Sequence, residues 1–159
     1  METPAEITKQ VEINQETINE FQKKVKNVSD FTNFLSEKFS RDITRLMEII
    51  LANSVILEAS DIHFEPEEEK VKLRLRIDGV LHDVFFFEPA DYKAILSRIK
   101  LLSGIMLNIT DKAQDGRLTI LFNQEPIEVR ASSLPTEHGE SVVMRILNPK
   151  SLIETDKLG

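Results

Sequence analysis

The apolar residues of this chain change period at residues 59–60, and that change limits the folds open to it. Before it, Ile43, Leu46, Met47, Ile50 and Leu51 recur every three or four residues, as one face of a helix does. After it, Val71, Leu73, Leu75 and Ile77 alternate without a fault with Lys72, Arg74 and Arg76, the two-residue period of a half-buried strand. Asp78-Gly79 follows, a hairpin signal because both turn positions need positive φ. Residues 80–87 are the return strand, and Pro89 ends it. A helical bundle has no use for the alternating half, and a doubly wound sheet has none for the tight hairpin.

The other elements follow from the same periods. Val11, Ile18, Phe21, Val25, Val28, Leu35 and Phe39 define one helical stripe over 11–39, interrupted by the polar Asn14 and Thr32. The stripe either packs on its own domain or offers a docking or coiled-coil surface, and three imperfect heptads favour the first. A second helix is expected over 42–58 with Asp42 as its N-cap. A third is expected after Asp91, carrying Tyr92, Ile95, Leu96, Ile99 and Leu102 and stopping at Gly104. Strands are expected at 61–65, 71–77, 80–87, 117–122, 126–132 and 141–147, with Asn123-Gln124 and a loop at 134–140 between the last three. The order is helix, helix, three strands, helix, three strands: an α+β fold with antiparallel hairpins. Residues 1–40 read as a helical N-terminal extension or linker after a loose tail, 41–150 as the folded domain and 151–159 as a linker.

Composition narrows the chemistry. Acidic residues outnumber basic ones 27 to 20, for a net charge of −7, so a nucleic-acid partner is not expected. There is no cysteine, which excludes disulfides, thiolate metal sites and cysteine nucleophiles. No apolar run approaches the roughly 20 residues of a membrane span, and the acidic, polar start does not resemble a targeting signal. A soluble cytoplasmic protein is expected. Neither a glycine-rich phosphate loop nor a nucleophile elbow is present, so this chain alone should not hydrolyse a nucleotide. Asp61, His63 and Glu65 share a strand face and could offer metal ligands, but no second histidine cluster completes a shell, so no metal site is expected. His138-Gly139-Glu140 lacks the cysteines of the deaminase signature it partly matches. The arginines remain. Arg74 and Arg76 share a face with Lys72, and Arg130 shares one with Glu128 and Ser132. Arg117 follows an Asp-Gly turn, and Arg145 sits with the apolar Val143 and Leu147. Each is either a surface ion pair or a guanidinium fork held by a rigid strand for an anion.

Four motifs occur in order: Ala-Ser-Asp-Ile-His-Phe-Glu-Pro at 59–66, Arg-Leu-Arg-Ile-Asp-Gly-Val-Leu at 74–81, Gln-Asp-Gly-Arg at 114–117 and Leu-Pro-Thr-Glu-His-Gly-Glu-Ser-Val-Val-Met-Arg-Ile-Leu at 134–147. Over roughly 43–150 they resemble the segment before the motor core in the hexameric ATPases of type II secretion and type IV pilus assembly. The resemblance implies a PAS-like domain that packs on the motor core of its own or a neighbouring subunit and lends arginines to the nucleotide site. It makes Arg117 and Arg130 the best candidates for phosphate contact, Arg145 a third, and Arg74 and Arg76 structural or interfacial. It also implies ATP and Mg2+ in a complete motor, with none expected for this chain alone. The implied partners are an inner-membrane platform or a cytoplasmic adaptor, and the implied location is cytoplasmic and peripheral to the inner membrane. The run before Gln114 lacks the family's usual basic and proline positions, so the local loop is expected to differ. The sequence reaches Gly159 where the family continues into its P-loop, which reads as a motor fragment or a stand-alone relic. Two other readings stay open: an interaction module whose region 11–39 docks a partner, and, last, a small-molecule sensor.

Overall fold

The computed structural model describes residues 10–147, so the expected tail and the linker at 151–159 lie outside the described residues. The elements are β1 (Gln10–Ile13), α1 (Gln15–Lys24), α2 (Val28–Lys38), α3 (Ile43–Ile56), β2 (Asp61–Pro66), β3 (Val71–Ile77), β4 (Val80–Phe87), α4 (Pro89–Ser103), β5 (Gln114–Phe122), β6 (Glu125–Thr136) and β7 (Gly139–Leu147). The fold class is α+β.

The stripe expected over 11–39 is not one helix. Val11 lies on β1, and two asparagines restart the chain as helices after it. Asn14 accepts from the Thr17 N–H at 2.8 Å and caps α1. Asn27 does the same for Asp30 at 2.8 Å, while the Asp30 carboxylate reaches back to the Lys26 N–H at 2.9 Å. A side-chain oxygen that satisfies an orphan N–H makes a new helix start cheaper than continuing the old helix. Ile18, Phe21, Val25, Phe31, Phe34 and Leu35 are buried, and the Phe21 and Phe34 rings meet edge-on at 5.2 Å. The apolar side of this region therefore packs into the same core as the sheet. Thr32, the second interruption, donates its hydroxyl to the Val84 carbonyl at 2.6 Å, close to where β3 and β4 shift register.

Asp42 caps α3, accepting from Thr44 and Arg45. That helix is buried along nearly its whole length, and the chain leaves it through Glu58 in the left-handed region. α4 begins before Asp91, with Pro89 in its first turn, so Asp91 is not the cap. Its carboxylate instead sits near the positive end of the helix and lies 3.3 Å from Arg41. Gly104 closes α4 with φ 74°, as expected.

The strands form one seven-stranded sheet in the order β1-β5-β6-β7-β2-β3-β4. All pairs are antiparallel except β1 with β5, so the sheet is mixed rather than purely antiparallel. Asp78-Gly79 and Asn123-Gln124 both turn with positive φ, joining β3 to β4 and β5 to β6. The loop expected at 134–140 is mostly strand: β6 runs to Thr136, β7 starts at Gly139, and Glu137-His138 make the turn between them. One face of the sheet, with Ile62, Phe64, Leu73, Leu75, Leu118, Ile120, Val129 and Met144, is buried in the core. The other face holds the charged side chains.

Candidate functional site

Ladder register decides which side chains meet on that second face. Arg117 pairs with Arg130, Arg130 with Arg145, Arg145 with Asp61, and Asp61 with Arg76. Directly opposite residues in antiparallel strands point to the same face with Cβ atoms roughly 5 Å apart. Five neighbouring strands therefore carry four arginines and one aspartate in a single row across the sheet. Arg145 is no break in the pattern. Its neighbours Val143 and Leu147 are the unusual residues, apolar on the charged face.

Like charges directly opposite one another destabilise a sheet, and here they occur twice in succession. Carboxylates lie beside Arg117 and Arg145, and Asp115 lines the same hollow as Arg130. The Arg117 side chain is 79% exposed and lies 3.7 Å from Glu128. Arg130 is exposed and forms no ion pair among the described residues. Arg145 donates its Nε to Asp61 at 3.1 Å and is otherwise 69% exposed. Arg130 and Arg145, with Ser132, Asp115 and Val143, line an open hollow of about 380 Å³. The larger groove, about 690 Å³ beside α1, the end of α3 and the β5–β6 turn, has no lysine or arginine in its lining and does not suit an anion.

The residues before Arg117 fix where that arginine starts. The Gln114 amide donates to the Met106 and Ile109 carbonyls at 3.1 and 3.0 Å and accepts from the Met106 N–H at 3.2 Å. Asp115 accepts from the Ser132 hydroxyl at 2.7 Å. Gly116 lies against the end of α4, where a Cβ would meet the Ser103 carbonyl oxygen at 2.2 Å. Three residues of this motif fasten β5 to its surroundings, and the fourth points a guanidinium outward.

Sequence reasoning missed a buried ion pair beneath this region. Lys100 is 2% and Glu140 8% exposed. The Lys100 Nζ lies 2.8 and 2.7 Å from the two Glu140 oxygens and 3.1 Å from the Ile109 carbonyl. Tyr92 donates its hydroxyl to the Glu140 carbonyl at 2.6 Å. Burial, and then the Glu140 charge, push the Tyr92 phenol well above its ordinary range. The signal was available in the spacing, because Lys100 falls eight residues after Tyr92, on the apolar face of α4.

Arg74 pairs with Asp83 at 2.8 Å and lies 3.6 Å from Glu65. Arg76 donates to the Gly79 carbonyl at 2.9 Å, and its Nε lies 3.6 Å from Asp61. Both are occupied by their own hairpin and its neighbour β2. The partners of Asp61 and Glu65 are thus arginines, and no cluster of three metal-ligand side chains occurs among the described residues. His63 stands between those two carboxylates. Burial lowers its pKa most, Arg76 and Arg74 lower it further, and Asp61 and Glu65 oppose the shift.

A family model for type II/IV secretion system proteins matches residues 36–159. The type II secretion system protein HxcR of Pseudomonas aeruginosa is 37% identical over 127 residues, covering 79% of this chain and 27% of that protein. The type IV pilus assembly ATPase TfpB of Acinetobacter baylyi is 42% identical over 119 residues, 74% of this chain and 20% of its own length. The type II secretion system protein E of Xanthomonas campestris pv. campestris is 39% identical over 113 residues, 70% of this chain and 20% of that protein. The chain therefore spans between 20% and 27% of the length of these relatives. The crystal structure of the pilus retraction motor PilT with bound ADP aligns over 63% of this chain and 28% of that one at 19% identity, with a TM-score of 0.44, too slight a likeness to bear on the fold.

Proposed function

The chain belongs to the type II/IV secretion system protein family, and from that membership we propose that it is the part of a secretion or pilus-assembly ATPase that lends arginines to the nucleotide site. The observation that carries this reading is the row in which Arg117, Arg130 and Arg145 stand side by side with a single carboxylate, Asp61, beyond them. An anion laid across the row converts repulsion into attraction. The planar guanidinium fork fits phosphate oxygens and stays charged at any working pH. On this reading Arg117 and Arg130 contact the phosphates of a nucleotide held by the motor core of the same or a neighbouring subunit, and Arg145 is the third contact. Arg74 and Arg76 hold the hairpin and the domain interface.

The sequence given has no P-loop, so turnover belongs to the complete motor, where ATP and Mg2+ are held by other residues. Arginines supplied from a separate domain make hydrolysis depend on how that domain is seated, which couples chemical steps to rotation within a hexamer. A cytoplasmic motor on the inner membrane would work through a platform or adaptor protein. No helix among the described residues is long and apolar enough to cross a membrane. In the competing reading, in which the first helices dock a partner, the partner would meet their polar face, because Ile18, Phe21, Phe31 and Leu35 are buried in the core.

The test is Arg130→Ala in a complete motor. Its ATP turnover should fall by roughly a thousandfold or more, within the range that transferred-charge arginines contribute, while the far-ultraviolet circular dichroism stays unchanged and the melting temperature does not fall, since two like-charge pairs are relieved. Normal turnover in an assembled Arg130→Ala motor overturns the reading.

A further inference from the structure

The two arginines that share Asp61 are not equivalent. Asp61 has a side chain only 5% exposed, yet it lies in the charged row. Its Oδ2 accepts from the Ser60 hydroxyl at 2.8 Å and lies 3.6 Å from the Arg76 Nε, while its Oδ1 accepts from the Arg145 Nε at 3.1 Å. Arg76 is held at both ends, since its terminal nitrogen donates to the Gly79 carbonyl at 2.9 Å. Arg145 is held at Nε alone. Its two terminal nitrogens have no partner among the described residues, and the side chain lines the hollow with Arg130, its direct cross-strand neighbour.

We propose that Asp61 is a positioning residue: it grips Arg145 by Nε and aims the remaining NH1/NH2 fork at the anion that Arg130 takes. The inference rests on the arginine-donor reading above. A guanidinium is suited to this double task because its five N–H donors are fixed in one plane, so one edge can bind a carboxylate while the end binds two phosphate oxygens. A lysine carries one compact charge and can serve the carboxylate or the anion, but not both. Asp61 is shared between two guanidinium groups and is buried beneath them. The row keeps its excess of positive charge, and Arg145 loses the freedom to swing away from its neighbour. Ordering that side chain before substrate arrives removes an entropic cost from the step that needs it.

The measurement is steady-state ATP turnover in the complete motor. Asp61→Asn should lower kcat roughly tenfold to a hundredfold, as a misplaced charged contact does. KM for ATP should not rise, because a negative charge near the phosphates has been removed. In an Arg145→Ala background the same change should alter kcat by no more than about twofold, because the residue through which Asp61 acts is gone. Arg145→Lys should behave like Arg145→Ala and not like the parent. An undiminished loss on adding Asp61→Asn to Arg145→Ala would mean that Asp61 acts through structure alone, and the proposal fails. If Asp61→Asn does not fold, Arg145→Lys decides: parental turnover there overturns the proposal. Parental turnover in Arg130→Ala, whatever Arg117→Ala shows, removes the arginine-donor reading itself. Impaired turnover in those two variants, with parental turnover in Asp61→Asn, removes only the role given to Asp61.

Discussion

At the scale of single residues, the strongest constraints lie beneath the arginine row rather than in it. Gly116 is required by close approach and not by its backbone angle, because the atom a Cβ would strike is the Ser103 carbonyl, which belongs to backbone and cannot rotate aside. Gly116→Ala should cost about 1–3 kcal/mol, the usual range for forcing extra volume into a packed site, and urea denaturation will show it as a lower midpoint at unchanged slope. Lys100→Met leaves the buried Glu140 carboxylate without its cation, and breaking such a pair costs about 3–5 kcal/mol, measurable in the same way. His63 makes stability depend on pH. Its folded pKa is lowered, so between that value and the ordinary 6.5 the unfolded chain binds more protons than the folded one. The stabilising contribution is complete above pH 6.5 and is lost as pH falls towards the folded pKa. Denaturation of the parent and of His63→Gln from pH 7.5 to 5 should show a loss of stability towards acid pH that is larger in the parent than in the variant. None of these residues announces its role by type. Gly116, Lys100 and His63 acquire their roles from what the fold places beside them.

At the scale of elements, the periods were the more reliable guide and the boundaries the less. β3, the β3–β4 turn, α3 with its Asp42 cap and the Gly104 stop all stand where alternation, positive φ and capping chemistry put them. The stripe over 11–39 failed as one helix because Asn14, read as an interruption, was a start, and Asn27, not singled out, was another; an asparagine followed three residues later by Asp30 was the missed signal. β1 could not be read at all, since four residues paired in parallel to a strand a hundred residues later have no local signature. The loop at 134–140 became mostly strand because Leu134, Pro135 and Thr136 found ladder partners in Ser141, Glu140 and Gly139 across a two-residue turn. The β5–β6 turn offers a direct check: Asn123 and Gln124 both have positive φ, 50° and 67°, and glutamine has no glycine-like tolerance for it. Gln124→Gly should therefore raise stability by about 1 kcal/mol, the cost of a left-handed non-glycine residue less glycine's greater entropy when unfolded. A lower melting temperature would show that Gln124 contributes more by contact than it costs in strain.

For the whole molecule, one core joins both parts of the chain. Ile13, Ile18, Phe21, Phe31 and Leu35 are buried with Ile62, Leu73, Leu118 and Met144. A chain that starts at residue 41 would expose that apolar surface, and it should lose the cooperative urea transition and the dispersed amide spectrum of residues 1–159; an unchanged transition would show that the helices before residue 41 are dispensable to the fold. The sequence by itself determined the α+β class, the two-residue alternation that puts charge on one face of each strand, and the family, because these depend on local spacing and on short motifs that survive in order. The tertiary structure alone decided that Arg117, Arg130, Arg145, Asp61 and Arg76 form one row, because which residues lie opposite one another is set by register between strands up to 84 residues apart. A one-residue slip in any of those pairings would turn an arginine to the core face, and the buried alternation of Val129, Ala131, Val142, Met144 and Ile146 is what forbids it.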